Sequence, residues 1–142
     1  HPRSKEDGEL KALAEKGGVI GIYMLPFLTG PSKQPMLKDF LQHLDHAVKV
    51  CGEDHVGIGS DVPFFRIGET DLEEMKKAPE KRKADGIAAP GEDRPTYIPD
   101  LNTPRKIEFI VDALLKRDHK PSAIEKVLGM NFKRVFGEIW TT

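Results

Sequence analysis

The chain has 142 residues, 38% of them hydrophobic and 32% charged, with a formal net charge of −1. That balance suits a globular domain with one core. It argues against a nucleic-acid or anionic-membrane partner, which would need a concentrated basic surface. No apolar run approaches the ~20 residues of a membrane-spanning helix, and a lone cysteine, Cys51, leaves no internal disulfide and no cysteine-type zinc site.

Residues 6–16 place Leu10, Leu13 and Ala14 at helical spacing, with Ser4 and Asp7 resembling a capping box and Gly17-Gly18 as the stop. Residues 19–23 are short, apolar and β-branched, which predicts a strand buried on both faces. A loop over 26–35 follows, rich in Gly, Pro, Ser and Thr. Residues 35–50 carry the apolar stripe Leu37, Phe40, Leu41, Leu44, Ala47 and Val48, and predict a helix that Gly52 ends. Residues 55–60 predict a second buried strand, with Asp61 at its C-terminal end. The pattern then loosens. An exposed helix over 70–85 includes the one basic run, interrupted by Pro79 and Glu80 and read as a solvated face. Residues 86–102, with Pro90, Pro95 and Pro99, read as a long ordered loop. Thr103 and Pro104 predict the start of a helix, and Ser122 with Glu125 the start of another that ends near Gly129. A last helix over 131–140 turns Phe132, Val135, Phe136 and Ile139 inward.

Helix, strand, helix, strand is the order of βα units with a parallel sheet. Two parallel strands do not make a stable sheet alone, and a full eight-stranded barrel takes ~250 residues. The expected fold is therefore a C-terminal fragment of a (β/α)8 barrel, its last two parallel strands plus helices. Residues 1–142 are read as one part of a single barrel domain, with an insertion over 62–102 and C-terminal helices over 103–142. The chain opens at His1 almost directly into a helix start, and reads as a piece of something longer.

Asp61 stands where reacting groups of barrels and open parallel sheets sit, at the end of a strand, after glycines that permit close approach. It also fits a turn or helix cap, and the residues alone do not choose between the two. Arg3, just before the first helix, offers a guanidinium fork for a carboxylate or phosphate, but taken singly it is an ordinary surface arginine. His43 and His46 share a side of a helix, away from the strand ends and without the glutamate of helix-borne zinc sites, so a structural or surface role is expected. His55 opens its strand at the end of a barrel that serves stability. Gly57-Ile58-Gly59 lacks the third glycine and the following helix of a dinucleotide fingerprint. Cys51 reads as a small packed hydrophobe.

In sequence order, these features form a pattern: Arg3 before a helix; the run 10–22; His43-Leu44-Asp45-His46; Asp54-His55-Val56-Gly57-Ile58-Gly59-Ser60-Asp61; and the closing Gly129-Met130-Asn131-Phe132-Lys133-Arg134-Val135-Phe136. The pattern resembles the C-terminal part of the membrane (renal) dipeptidase family, peptidase family M19, over nearly the whole chain. The resemblance implies an (α/β)8 barrel that hydrolyses dipeptides with two zinc ions, whose bound hydroxide attacks the peptide carbonyl. It implies that Arg3 binds the C-terminal carboxylate of the dipeptide and that Asp61 is the acid/base for the leaving amine. The family usually continues Ser-Asp with Phe-Asp-Gly, whereas this chain has Val62-Pro63-Phe64 and a long insertion that would overhang the site. The metal ligands of the family lie in the earlier part of the barrel, at positions this chain does not contain. The resemblance therefore implies no metal ligand here, and no zinc pair or dipeptidase activity for the chain by itself.

The implied partners are a dipeptide and the remainder of the barrel or a second copy of the chain. Two other readings stand beside this one. Gly17-Gly18 and residues 57–60 would cradle a phosphorylated ligand in a barrel of different chemistry, or the chain would be an inactive truncated interaction module that covers its open edges. The dipeptidase reading requires Arg3 and Asp61 to converge at one rim, with Ile20 and Ile58 in parallel pairing.

Overall fold

The computed structural model of the chain describes residues 4–140. Helix α1, Asp7–Glu15, opens with the Glu6 amide donating to Glu9 Oε2 at 2.9 Å. Glu9 therefore closes the first turn, rather than the expected Ser4 and Asp7. Its last carbonyls are taken by the amides of Gly17 and Gly18, with Gly17 at a φ of 75° that a residue bearing a Cβ adopts only under strain. Strand β1, Ile20–Tyr23, leads into a short 3-10 turn, Pro26–Leu28, and then helix α2, Leu37–Cys51. Asp39 starts α2, its Oδ2 accepting the Met36 amide at 2.9 Å. Strand β2, Val56–Ser60, follows.

β1 and β2 pair in parallel, with Ile20 opposite Val56, Gly21 opposite Gly57 and Ile22 opposite Ile58. The register then shifts, so that Tyr23 pairs with Ser60 and Gly59 becomes a bulge. Alternation along the strands puts Ile20, Ile22, Val56 and Ile58 on one face, where they join a core with Phe40, Leu44 and Ala47 of α2. The opposite face presents Gly21 and Gly57. β1 is only half-buried throughout, which corrects the expectation of a strand buried on both faces: among the described residues its second edge has no neighbouring strand.

Helix α3, Glu69–Ala84, contains Pro79 and buries no residue. After a long irregular segment with a 3-10 turn at Pro99–Leu101 comes helix α4, Lys106–Leu115. It begins later than Thr103 and Pro104 suggested, because Thr103 Oγ1 accepts the Arg105 amide and holds 103–105 as a separate turn. Helix α5, Pro121–Glu125, takes Pro121 rather than Ser122 at its start, since a proline at the first position forfeits no hydrogen bond. It passes through a π turn, Lys126–Met130, into helix α6, Asn131–Trp140. The face of α6 expected to turn inward is only partly covered, with Phe136 and Ile139 exposed, and Trp140 is exposed as well. The described fold is two parallel strands with their helices, as in a slice of a βα barrel.

Candidate functional site

The two rims of the β1–β2 sheet differ in chemistry. At the C-terminal rim the Met24 amide donates to Ser60 O at 2.7 Å, so the chain leaves both strands side by side. Ser60 and Asp61 then adopt φ values of 38° and 59° in succession. Left-handed backbone at two consecutive non-glycine residues costs about 1–3 kcal/mol each and concentrates at functional sites. The Gly59 bulge turns the strand just before them, and Ser60 Oγ donates to Val62 O at 3.2 Å, which fixes the exit. Asp61 is exposed on this rim. Arg3 lies outside the described residues. Ser4 lines a cleft of about 310 Å³ with Phe27, Leu28 and Thr29 of the segment leaving β1, and with His43 and Pro90.

The segments after β1 and β2 are tied together. Arg94 donates to Gly30 O at 3.0 Å, to Thr29 Oγ1 at 3.1 Å and to Lys33 O. Gln34 Nε2 donates to Pro95 O at 3.0 Å and to Tyr97 O at 2.6 Å, and the Leu37 amide donates to Asp100. The stretch that leaves Asp61 is held in turn by Asn102, whose side chain exchanges two hydrogen bonds with the Ile67 backbone, and by Lys106 Nζ, which donates to Pro63 O. Lys106 is buried, and burial pushes its ammonium below the usual lysine range. Sequence reasoning missed Arg94 and Lys106. The one available signal was a charged residue inside a Pro-rich stretch and another at the start of an apolar helix.

The N-terminal rim is a set of clamps. Asn131 Nδ2 donates to Glu53 O at 2.7 Å and to Val56 O at 2.8 Å. Arg134 donates from Nη1 to Gly17 O at 3.0 Å and from Nη2 to Asp54 O at 3.1 Å. His55 Nδ1 lies 2.8 Å from Gly18 O. These groups take up carbonyls just ahead of β1 and β2 and that of the first β2 residue, so the closing Gly-x-Asn-x-x-Arg motif joins the strand starts. Phe132 lies against the glycine face, where a methyl group at Gly57 would stand 2.5 Å from its Cε2. The phosphate-cradle reading fails on this geometry. Gly17-Gly18 and Ser60 occupy opposite rims, and Gly57 is covered by Phe132 rather than open to a ligand.

The remaining candidates are engaged structurally. His43 Nε2 is 2.7 Å from Leu28 O, and His46 Nε2 is 2.7 Å from Asp7 Oδ1. Cys51 donates to Leu10 O, and burial, with Asp7 adding, pushes its thiol up, which disfavours a thiolate nucleophile. Among the described residues no group of three His, Cys, Asp or Glu converges to hold a metal ion. The residues described here do not fit the zinc pair that the resemblance implies.

Known proteins share parts of this sequence and fold. Dipeptidase tcpJ of Claviceps purpurea is 26% identical over 140 residues, covering 98% of this chain and 26% of that protein. An amidohydrolase from Pseudomonas aeruginosa superposes with a TM-score of 0.75 at 28% identity, covering the whole of this chain and 42% of that one. A metallopeptidase from Rhodobacter sphaeroides, liganded with a phosphinate mimic of the dipeptide L-Ala-D-Ala, shares the fold with a TM-score of 0.68 at 20% identity, over 97% of this chain and 32% of that one. The chain thus spans about a fifth to two-fifths of the length of the curated relatives it matches. The profile of the membrane dipeptidase family, peptidase family M19, matches residues 1–81, more than half of the sequence, and the chain belongs to that family.

Proposed function

We propose that this chain is the C-terminal part of a zinc-dependent dipeptidase that hydrolyses the peptide bond of dipeptides. Asp61 serves as its acid/base and Arg3 as its carboxylate-binding residue. The observation that carries the reading is Asp61 itself, an exposed carboxylate on left-handed backbone at the C-terminal end of a parallel strand, where barrel enzymes place reacting groups. Family membership supports peptide hydrolysis, and the dipeptide mimic bound by the Rhodobacter protein supports the substrate class. Zinc would be held by strands outside this chain.

In this reading the Asp61 carboxylate takes up a proton during attack on the carbonyl. It returns that proton to the amine nitrogen as the C–N bond breaks, so one group acts first as base and then as acid. The Arg3 guanidinium grips the free carboxylate of the substrate with two parallel hydrogen bonds, which selects dipeptides over amidated ones. The insertion over 62–102, fastened to the segment after β1 through Arg94 and Gln34, would form a wall of the substrate cleft and restrict the residues it admits. The test is turnover of L-Ala-D-Ala by the complete barrel. Asp61→Asn should lower kcat at least about 100-fold, and Arg3→Ala should raise KM and abolish discrimination against the amidated dipeptide. Full activity of the Asp61→Asn protein would sink the assignment.

A further inference from the structure

Helix α6 carries an aromatic ladder that the described fold leaves largely open. Phe132, Phe136 and Trp140 recur every fourth residue, so they rise along one side of the helix. Their rings stack, with centroids 6.0 Å apart between Phe132 and Phe136 and 4.8 Å between Phe136 and Trp140. Exposure increases along the ladder: Phe132 is half-buried, Phe136 is 43% exposed and Trp140 is 74% exposed. The first rung is fixed against Gly57 on the sheet face opposite α2. Helices of a barrel pack on its outer wall, so the face opposite α2 is the inward one. Asn131 and Arg134 hold the same end of α6 to carbonyls at the starts of both strands. The helix therefore enters the N-terminal mouth of the barrel beside these two strands, and the ladder continues past them.

We propose that Phe136 and Trp140 dock against the N-terminal ends of the other strands of the same barrel, so that α6 closes its lower mouth. The inference rests on the reading of the chain as part of a complete barrel. The occupant is the preceding barrel strands rather than a second copy, for two reasons. The exposed rungs are continuous with a contact made inside the barrel wall. In matched relatives the aligned stretch is about a fifth to two-fifths of the protein, whereas two copies would bring together four strands, half of a closed barrel.

Trp140 is the only tryptophan of the chain, so fluorotryptophan incorporation places one fluorine probe at the tip of the ladder. The labelled chain is titrated with the polypeptide its gene encodes ahead of residue 1, produced separately and unlabelled. The expected result is a one-to-one complex in sedimentation in which the fluorine resonance loses its H2O/D2O solvent shift. Phe136→Ala should weaken the complex roughly tenfold while leaving the circular dichroism of the chain unchanged. Docking is overturned by a one-to-one complex whose probe stays fully solvated, by the absence of a complex, or by a chain that dimerises alone with the probe already protected. Turnover separates the two readings. A complex that cleaves L-Ala-D-Ala with a solvated probe sinks the docking and spares the dipeptidase, whereas a protected probe in a complex without turnover does the reverse.

Discussion

The two rims of the same short sheet are built to opposite specifications. At the N-terminal rim, Asn131, Arg134 and His55 all meet backbone carbonyls ahead of the strands, and Phe132 packs on the glycine face. At the C-terminal rim, two residues hold left-handed backbone, Asp61 is open to solvent, and Phe64 and Phe65 are 71% and 61% exposed. One end satisfies its polar groups and gains stability. The other keeps a left-handed turn and a solvent-exposed carboxylate at Asp61. The division matches barrels generally, in which the lower face serves stability and the upper face serves chemistry.

If the lower rim is structural, the largest stability loss comes from Asn131→Ala. It strips two hydrogen bonds from carbonyls at a buried junction and should cost about 2–3 kcal/mol in urea denaturation of the chain. A cost near zero would break the contrast between the rims. Gly57→Ala should cost about 1–3 kcal/mol, because the added methyl meets the Phe132 ring. Combined with Phe132→Ala the penalty should shrink, and a double-mutant cycle with no coupling energy would place the ring elsewhere.

The smallest effect concerns Asp39, which starts α2. Burial alone would raise its carboxyl. The Lys33 ammonium at 2.6 Å and the Met36 amide outweigh that and hold it below the usual carboxylate range. A carboxyl whose folded value is depressed stabilises the fold above its unfolded value, and the contribution disappears as pH falls through the folded value. Asp39→Asn should therefore cost about 1 kcal/mol at neutral pH, and the difference from the parent chain should fade as the pH drops below about 4. A difference that persists in acid would remove the ion pair from the account.

The elements were legible where periodicity was strong. The α2 stripe, the two short apolar strands and their parallel pairing follow from spacing and composition. Helix starts were less legible, because Ser4, Thr103 and Ser122 all have the chemistry of caps, while Glu9, the separate 103–105 turn and Pro121 won through local hydrogen bonding and ring geometry. The burial of β1 was misjudged because an apolar sequence records the neighbours a strand has in the whole barrel, not those within this stretch. The same reason explains why Phe136 and Ile139 read as inward residues yet stand exposed. Asp61 was legible as a candidate from its place after a strand. The ties of Arg94, Asn102 and Lys106 were not, because they join segments tens of residues apart without periodicity.

The most direct test of the division between rims sets Asp61→Asn beside Asn131→Ala in the complete barrel, with L-Ala-D-Ala turnover per folded molecule measured against thermal midpoint. Asparagine tolerates the left-handed backbone at position 61, so Asp61→Asn should abolish most turnover and leave the midpoint unchanged, while Asn131→Ala should lower the midpoint and leave turnover per folded molecule intact. Equal losses of turnover in the two variants, or an Asp61→Asn protein that turns over normally, would contradict it.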